Sequence, residues 1–205
     1  FRNFSRLDLE VPQGAILVVG ANAQGKTSLL EAVYFLSTFT SFHASSDRQL
    51  INFLIGSEPL AVTRIVADYS RGGRAHQLEV RIIQEKNGYN GSTRVRKEIL
   101  LDGVKRKAGD SIGHFNAVLF LPQMLTVVEG SPGQRRRYLN LTLSQTIRGY
   151  ATALSAYNKA ITQRNALLKL LGERGGDPEQ LTYWDEEVAR NGAILILARI
   201  KAIQE

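Results

Sequence analysis

The chain has 205 residues, of which 43% are hydrophobic and 22% charged, and this ordinary globular composition excludes collagen-like, disordered and disulfide-scaffold proteins. It contains no cysteine, which excludes thiolate metal sites and a catalytic thiol and favours a reducing compartment, so we expect a cytoplasmic location. The formal net charge is +7, and no apolar run approaches the length of a membrane span, so we expect no membrane partner.

The first predicted elements are two strands and a helix. Residues 1–9 mix apolar and polar side chains in alternation, which suggests an edge strand. Residues 15–19 form a short continuous apolar run, the pattern of a strand buried on both faces. From Lys26 onward the apolar residues recur with a period near 3.6, which predicts a helix. The predicted order is therefore strand, glycine-bounded loop, helix.

The loop before this helix matches the phosphate-binding pattern G-x-x-x-x-G-K-[ST] from Gly20 to Thr27. Its glycines would let backbone N–H groups turn towards phosphate oxygens, and the helix N-terminus would add its positive dipole. We expect Lys26 to neutralise the β- and γ-phosphates of ATP and Thr27 to ligate Mg²⁺. The alternative is a glycine-rich turn before an ordinary helix. The predicted nucleotide-binding residues are Gly20, Ala21, Asn22, Ala23, Gln24, Gly25, Lys26, Thr27 and Ser28.

A basic antiparallel meander is predicted next. Three strand patterns, separated by glycine-containing turns, cover residues 62–69, 77–84 and 94–101, and Asp102-Gly103 predicts a further tight hairpin. Residues 64–107 hold eleven Lys or Arg against five Asp or Glu, which is +6 of the net +7. A stripe of this density is typical of phosphate-backbone contact, although two solvated strand faces would give the same count. The predicted DNA-contacting residues are Arg94, Arg96, Lys97, Lys105, Arg106 and Lys107.

A second buried strand is predicted at residues 117–121, shortly before Gln123. Gln123 stands where ABC-type folds carry a glutamine near the metal and the attacking water, so we predict a catalytic role beside Lys26 and a metal-ligating role beside Thr27. An ordinary loop glutamine is the alternative. The one carboxylate pair that resembles a Walker B element, Asp185-Glu186, falls on the solvated side of a helical pattern. We therefore expect ATP binding without efficient hydrolysis by this chain.

Helical patterns cover the chain beyond Ser131, which with Pro132 is typical of a helix start. Two heptad ladders at residues 150–171 and 181–198 flank a glycine-rich turn, which predicts an antiparallel αα-hairpin that begins its second limb at Asp177. The predicted fold class is α/β, with a nucleotide-binding lobe at residues 1–130 and a helical arm at 131–205. The chain has no initial methionine and ends in a helical pattern, so we expect a fragment of a longer chain.

Several motifs, spread in order over the whole chain, together resemble the RecF family. They are residues 1–4, 20–37 and 47–51, residues 130–139 with three consecutive arginines, 144–145, Tyr157 with 163–169, and Trp184 with 191–193. The resemblance implies a P-loop ABC/SMC-like ATPase lobe with an antiparallel β-meander, followed by a helical arm that is an antiparallel αα-hairpin. It also implies that this is an N-terminal fragment, with the signature motif and Walker B beyond Glu205.

The resemblance further implies a function. RecF-like proteins bind ATP and Mg²⁺, dimerise around the nucleotide, hydrolyse it slowly, and engage single-stranded or gapped duplex DNA. They act in recombinational repair, replication restart and the SOS response with RecO and RecR partners. The chain departs from the family at His43, where an arginine is usual. Three alternatives stay open: an ABC transporter ATPase subunit, a small-molecule kinase, and a binding module without catalysis.

Overall fold

The chain forms two compact units in a computed structural model that describes residues 1–86, 92–122 and 126–204. The first unit comprises Phe1–Ser111 with Phe115–Leu119, and the second comprises Ile112–His114 with the residues from Phe120 onward. The predicted turn at residues 87–91 and the predicted site residue Gln123 lie outside the described residues.

The first unit is built on one antiparallel sheet with strands in chain order, which confirms the predicted meander. Its elements are α1 (Lys26–Thr38), a 3₁₀ turn (Asp47–Leu50), β1 (Leu60–Arg71), β2 (Arg74–Lys86), β3 (Thr93–Leu101), β4 (Val104–Arg106) and the short α2 (Ala108–Ser111). The β1–β2 turn is Gly72-Gly73 and the β3–β4 turn is Asp102-Gly103, and all four residues have positive φ. This is the backbone that tight hairpins of right-handed twist require.

The sheet has an apolar inner face and a charged outer face. Leu78, Val80, Ile82 and Ile99 are buried on the inner face, and each of these side chains contributes about 1.5 to 3 kcal/mol by leaving water. Helix α1 contacts β1 and β2 and buries Phe35. Strand alternation sends the neighbouring side chains of β2 and β3 to the outer face. Because α1 contacts β1 and β2, the helix that follows the phosphate loop is packed on this sheet.

The predicted strands at residues 1–9, 15–19 and 117–121 are wrong. The four strands of the sheet among the described residues include none of these segments, and many of their apolar side chains are exposed, with Leu17 at 85% and Val118 at 98%. Residues 1–4 instead form a turn in which the Phe4 N–H donates to the Phe1 carbonyl at 2.9 Å. A strand needs at least one hydrogen-bonded neighbour, and none of the four described strands pairs with these segments.

The second unit is helical. Its elements are α3 (Thr126–Glu129), α4 (Pro132–Thr146), α5 (Tyr150–Arg174), a 3₁₀ turn (Pro178–Leu181) and α6 (Thr182–Gln204). Two predicted helix starts are confirmed. The Ser131 N–H donates to Gln134 Oε1 at 2.8 Å before α4, and Asp177 Oδ1 accepts from the Glu179 N–H at 2.9 Å before the 3₁₀ turn that leads into α6.

Helices α5 and α6 pack side by side and run in opposite directions. At one end, the buried Tyr150 donates from its hydroxyl to Asn140 Oδ1 at 2.8 Å, and Arg199 Nη2 donates to the same oxygen at 2.9 Å. Further along α5, and near the start of α6, Arg164 forms an ion pair with Asp185, which lies on helix α6 as the sequence indicated. The core of this unit is formed by Leu143, Tyr150, Ala153 and Leu195. Among the described helices, none combines the length and the hydropathy needed to cross a membrane.

Candidate functional site

The phosphate loop turns through three residues of positive φ before α1 begins. Gly20, Ala23 and Gly25 have φ of 153°, 65° and 95°. The ammonium of Lys26 folds back over the loop and donates to the carbonyl oxygens of Gly20 at 2.8 Å and Ala21 at 2.7 Å. Backbone of this kind can aim successive N–H groups at one point, so the loop and the Lys26 ammonium could together receive an anion.

The groups around this site fit Mg·ATP. Helix α1 spans 13 residues, and its first turn carries the exposed Thr27 hydroxyl and no acidic side chain. The first N–H groups of a helix have no partner within the helix, so they are available to phosphate oxygens. Lys26 would hold the β- and γ-phosphates, and the Thr27 hydroxyl would ligate Mg²⁺. Among the described residues, no three His, Asp or Glu side chains cluster as a separate metal site.

The second loop glycine, Gly25, is packed against the N-terminal turn of the chain. A Cβ built on Gly25 would lie 2.5 Å from Phe4 Cζ and 2.7 Å from Asn3 Nδ2. At φ 95° a side chain would also strain the backbone. A side chain at this position would therefore strain the backbone and displace the side chains of Phe4 and Asn3, so residues 1–4 pack directly against the phosphate loop.

A buried ion pair holds this N-terminal turn on α1. Arg2 donates to both carboxylate oxygens of Glu31, at 2.8 and 2.7 Å, and Glu31 is only 2% exposed. The Ser41 hydroxyl donates to the same carboxylate and accepts from the N–H of His43 at 2.8 Å and of Ala44 at 2.6 Å. Burial works to raise the pKa of Glu31, but the hydrogen bonds from Arg2 and Ser41 hold it below its usual value. The Ser41 bonds place His43 beside this network, where the RecF resemblance expects an arginine.

Lys97 anchors the other end of α1. Its ammonium donates to the Phe39 carbonyl at 2.7 Å, lies 3.0 Å from Asp47 Oδ2, and sits 5.1 Å from the centroid of the Phe35 ring. Phe39 is the C-cap of α1, where a cation is favoured by the negative end of the helix dipole. The structure therefore separates Lys97 from Arg94, Arg96 and Lys105 on the outer face and gives its ammonium a role in holding α1 on the sheet.

The other five predicted DNA-contacting residues, Arg94, Arg96, Lys105, Arg106 and Lys107, are exposed but not equally available. Arg96 pairs with Glu85 and Glu98, each at 3.1 Å, and Lys105 pairs with Glu98 at 2.7 Å. Lys105 faces Leu100 and Arg106 faces Ile99, so these adjacent residues project to opposite faces of β4. The structure groups Arg94, Arg96 and Lys105 on the outer face.

Two arginines that the sequence analysis missed share a carboxylate on the outer face. Glu79, which is nearly buried, accepts from Arg64 Nε at 2.5 Å, from Arg64 Nη2 at 3.1 Å and from Arg81 Nε at 2.6 Å. The hydrogen bond from Arg64 is the main reason why the pKa of Glu79 falls to about 2. In a hairpin with a two-residue turn, residues at equal distances from the turn are paired. The turn Gly72-Gly73 therefore pairs Arg64 with Arg81, and the sequence could have predicted this cluster from the turn alone.

Gln123 lies outside the described residues, so its predicted position near Mg²⁺ stays a prediction.

Comparison with known proteins connects the whole chain to one family. No protein-family model matches the chain. Curated relatives do match, each called DNA replication and repair protein RecF. The chain is 40% identical to that of Herpetosiphon aurantiacus over 212 residues, covering 99% of this chain and 54% of the relative. It is 41% identical to that of Thermomicrobium roseum over 211 residues, covering 100% and 52%.

A third match, to the relative of Chloroflexus aurantiacus, is 40% identical over 215 residues and covers 100% of this chain and 54% of the relative. The chain thus spans about half the length of the curated relatives it matches. The residues that form the phosphate loop, its supporting N-terminal turn and the basic meander all lie within these alignments, since the alignments cover 99% of the chain or more. The chain belongs to the RecF family.

Proposed function

We propose that this protein binds ATP and DNA and acts in DNA replication and repair. The observation that carries the nucleotide part is the loop before α1, where Lys26 and three positive-φ residues surround an acid-free helix N-terminus. The relatives are called DNA replication and repair proteins, and they match this chain over its whole length. The proposal includes a P-loop ATPase lobe of ABC/SMC type followed by a helical arm.

Each phosphate-loop group has a separate proposed task. The N–H groups of residues 20–28 bind phosphate oxygens, the Lys26 ammonium moves from the loop carbonyls to the β- and γ-phosphates, and the Thr27 hydroxyl, with Gln123, holds Mg²⁺. Bound Mg²⁺ supplies positive charge that neutralises the phosphates. Phosphoryl transfer also requires a group that orients water, which is the role proposed for Gln123.

The curated relatives are about twice as long as this chain, and this difference motivates a proposal about hydrolysis and assembly. We propose an ATP-dependent homodimer with slow hydrolysis, in which residues beyond this chain complete the catalytic site, and association with RecO- and RecR-type partners in the cytoplasm. The opposite directions of α5 and α6, together with the contacts of Arg199 with Tyr150 and of Arg164 with Asp185, support the helical arm.

The experiment is a calorimetric titration of Mg·ATP into the protein, followed by a phosphate-release assay on the same sample. Lys26→Ala removes the proposed phosphate contact, and Lys169→Ala is the matched control because Lys169 is exposed on α5 and has only a 3.8 Å contact with Glu173. We expect binding that Lys26→Ala abolishes and Lys169→Ala leaves unchanged, with little turnover. Equal binding by both variants would refute the proposed nucleotide site. Rapid phosphate release would refute the expectation that catalysis needs further residues.

A further inference from the structure

The second unit separates its positive and negative charges along the chain. Residues 130–172, which include α4 and most of α5, hold seven Lys or Arg and no Asp or Glu. Residues 173–187, around the turn between α5 and α6, hold six Asp or Glu and one Arg. Solvated helix faces commonly carry both signs, so that ion pairs form between residues four apart. The segment from α4 into α5 instead carries one sign only.

Contacts within the unit compensate only part of this positive charge. Arg164 pairs with Asp185, and the Lys169 ammonium lies 3.8 Å from a carboxylate oxygen of Glu173. The Arg135 guanidinium donates to a backbone carbonyl at 2.8 Å. The other four basic residues of the segment are exposed, and they form no ion pair with a carboxylate in the described part of the chain. They are Arg136, Arg137, Arg148 and Lys159.

Two of these residues, Arg136 and Arg137, lie on the exposed N-terminal half of α4. Every residue from 131 to 138 is exposed. The capping box of Ser131 and Gln134 begins the helix, so the start of α4 does not depend on the two arginines. The positions three and four residues away from them hold no acidic residue, so no ion pair along the helix is available to either guanidinium.

The chemistry of this helix end fits a ligand with repeated phosphate groups. The first turn of α4 carries no acidic side chain, so the positive end of its dipole and the arginines that follow have the same sign. Arg136 and Arg137 are adjacent, so they extend from one helical turn in directions about 100° apart. A guanidinium is always charged and can form two parallel hydrogen bonds to one phosphate. Neighbouring phosphates of a polyanion can therefore engage both side chains together.

We propose that the N-terminal half of α4 binds the phosphate backbone of DNA through Arg136 and Arg137. This inference rests on the proposed DNA-binding function and adds a binding surface outside the meander. On the outer face of the meander, by contrast, Arg96 and Lys105 share the carboxylate of Glu98. Contacts to phosphate position a protein without reading base sequence. Binding through α4 should therefore depend strongly on salt and little on the sequence of the DNA.

The test compares the salt dependence of DNA binding by the protein and two double variants, measured by fluorescence anisotropy on duplex and single-stranded oligonucleotides. Arg136→Gln with Arg137→Gln removes the proposed contacts. Lys169→Gln with Arg174→Gln is the control, because it removes two exposed charges from the last turns of α5. Two lost phosphate contacts should reduce the slope of log affinity against log salt by about 2 on duplex and about 1.4 on single strands.

Two further measurements separate a binding role of the arginines from a structural one. Because both guanidinium groups are exposed and unpaired in the described part of the chain, the α4 variant should unfold at the same temperature as the parent. Arg136→Lys with Arg137→Lys keeps both charges but loses the paired hydrogen bonds to phosphate. This variant should keep most of the salt slope and bind DNA more weakly than the parent at each salt concentration.

The outcomes separate the α4 surface from the proposed function. A slope that falls in the glutamine variant of α4 and not in the control supports the surface, and the DNA form with the larger loss identifies which phosphates it binds. Equal losses in these two variants would reveal a general effect of net charge and overturn the surface. A parent protein that binds DNA with a slope that the α4 variant leaves unchanged would overturn the surface while DNA binding stands. A parent protein that binds no DNA would overturn both.

Discussion

The Arg2–Glu31 ion pair makes a quantitative prediction about the support of the phosphate loop. Arg2→Met leaves the Glu31 carboxylate, 2% exposed, with the Ser41 hydroxyl as its remaining side-chain partner. Removing one partner of a buried pair costs about 3 to 5 kcal/mol, because the other charge stays buried. Since the Arg2 side chain is itself 17% exposed, we expect a loss near the lower end, about 3 kcal/mol at pH 7.

Urea unfolding followed by circular dichroism measures this loss, and the chain offers a matched control. Arg6 pairs with Asp8 at 2.7 Å, but both side chains are largely exposed, so Arg6→Met should change stability by less than about 0.5 kcal/mol. In a double-mutant cycle, Glu31→Gln combined with Arg2→Met should cost less than the two single changes together. Additive losses, or an Arg2→Met loss no greater than that of Arg6→Met, would refute the coupling.

The same variant should respond to acid in a particular direction. In the parent, the pKa of Glu31 lies below its usual value of 4.5, so the stability from this pair is present above that value and is lost as pH falls through the lower folded pKa. Without Arg2, burial dominates and should raise the pKa of Glu31. The gap in stability between the parent and Arg2→Met should therefore narrow as pH falls from 7 to 4, and a constant gap would contradict the account.

Two further predictions concern the outer face and the second unit. The depressed pKa of Glu79, about 2 against a usual 4.5, should make the parent more stable than Glu79→Gln by about 1 to 2 kcal/mol at pH 7 after allowance for its two partly exposed arginines. This difference should shrink as pH falls below 4.5, which urea unfolding at several pH values checks. Gly192→Ala should destabilise α6 packing by about 1 to 2 kcal/mol, because its Cβ would lie 3.2 Å from Tyr157 Cε2. A Cβ at Gly172 would meet nothing within 4 Å, so Gly172→Ala should stabilise α5 by about 0.5 to 1 kcal/mol. Thermal unfolding measures both variants. A higher unfolding temperature for Gly192→Ala than for Gly172→Ala would refute the packing argument.

Local chemistry was sufficient to predict the hairpins and helix starts. The turns Gly72-Gly73 and Asp102-Gly103 fix both the turn geometry and the strand register, because equal counting from a two-residue turn determines every partner. The phosphate loop and the helix after it could be recognised for the same reason, since their signals lie within a few residues. The buried strands expected at residues 15–19 and 117–121 failed because an apolar run indicates a preference for burial and does not supply a partner strand.

The basic segment shows how a charge count differs from a charged surface. The +6 of residues 64–107 is correct as a sum, but the structure distributes it over both sheet faces and over ion pairs. Arg96 and Lys97 are neighbours in sequence, yet one pairs with Glu85 across the outer face and the other caps α1 on the inner face. The buried partner of Arg2 was equally invisible, because Glu31 is 29 residues away and only the packed helix brings it close.

The central claim is that nucleotide phosphates bind at the N-terminus of α1. Backbone amide NMR of the ¹⁵N-labelled protein during titration with Mg·ATP tests it residue by residue. We predict the largest shifts at the amides of residues 20–28, smaller shifts at the packed residues Asn3 and Phe4, and none in α5 or α6, with all of them lost in Lys26→Ala. Shifts that survive Lys26→Ala, or that cluster outside the loop and its supporting turn, would contradict the account.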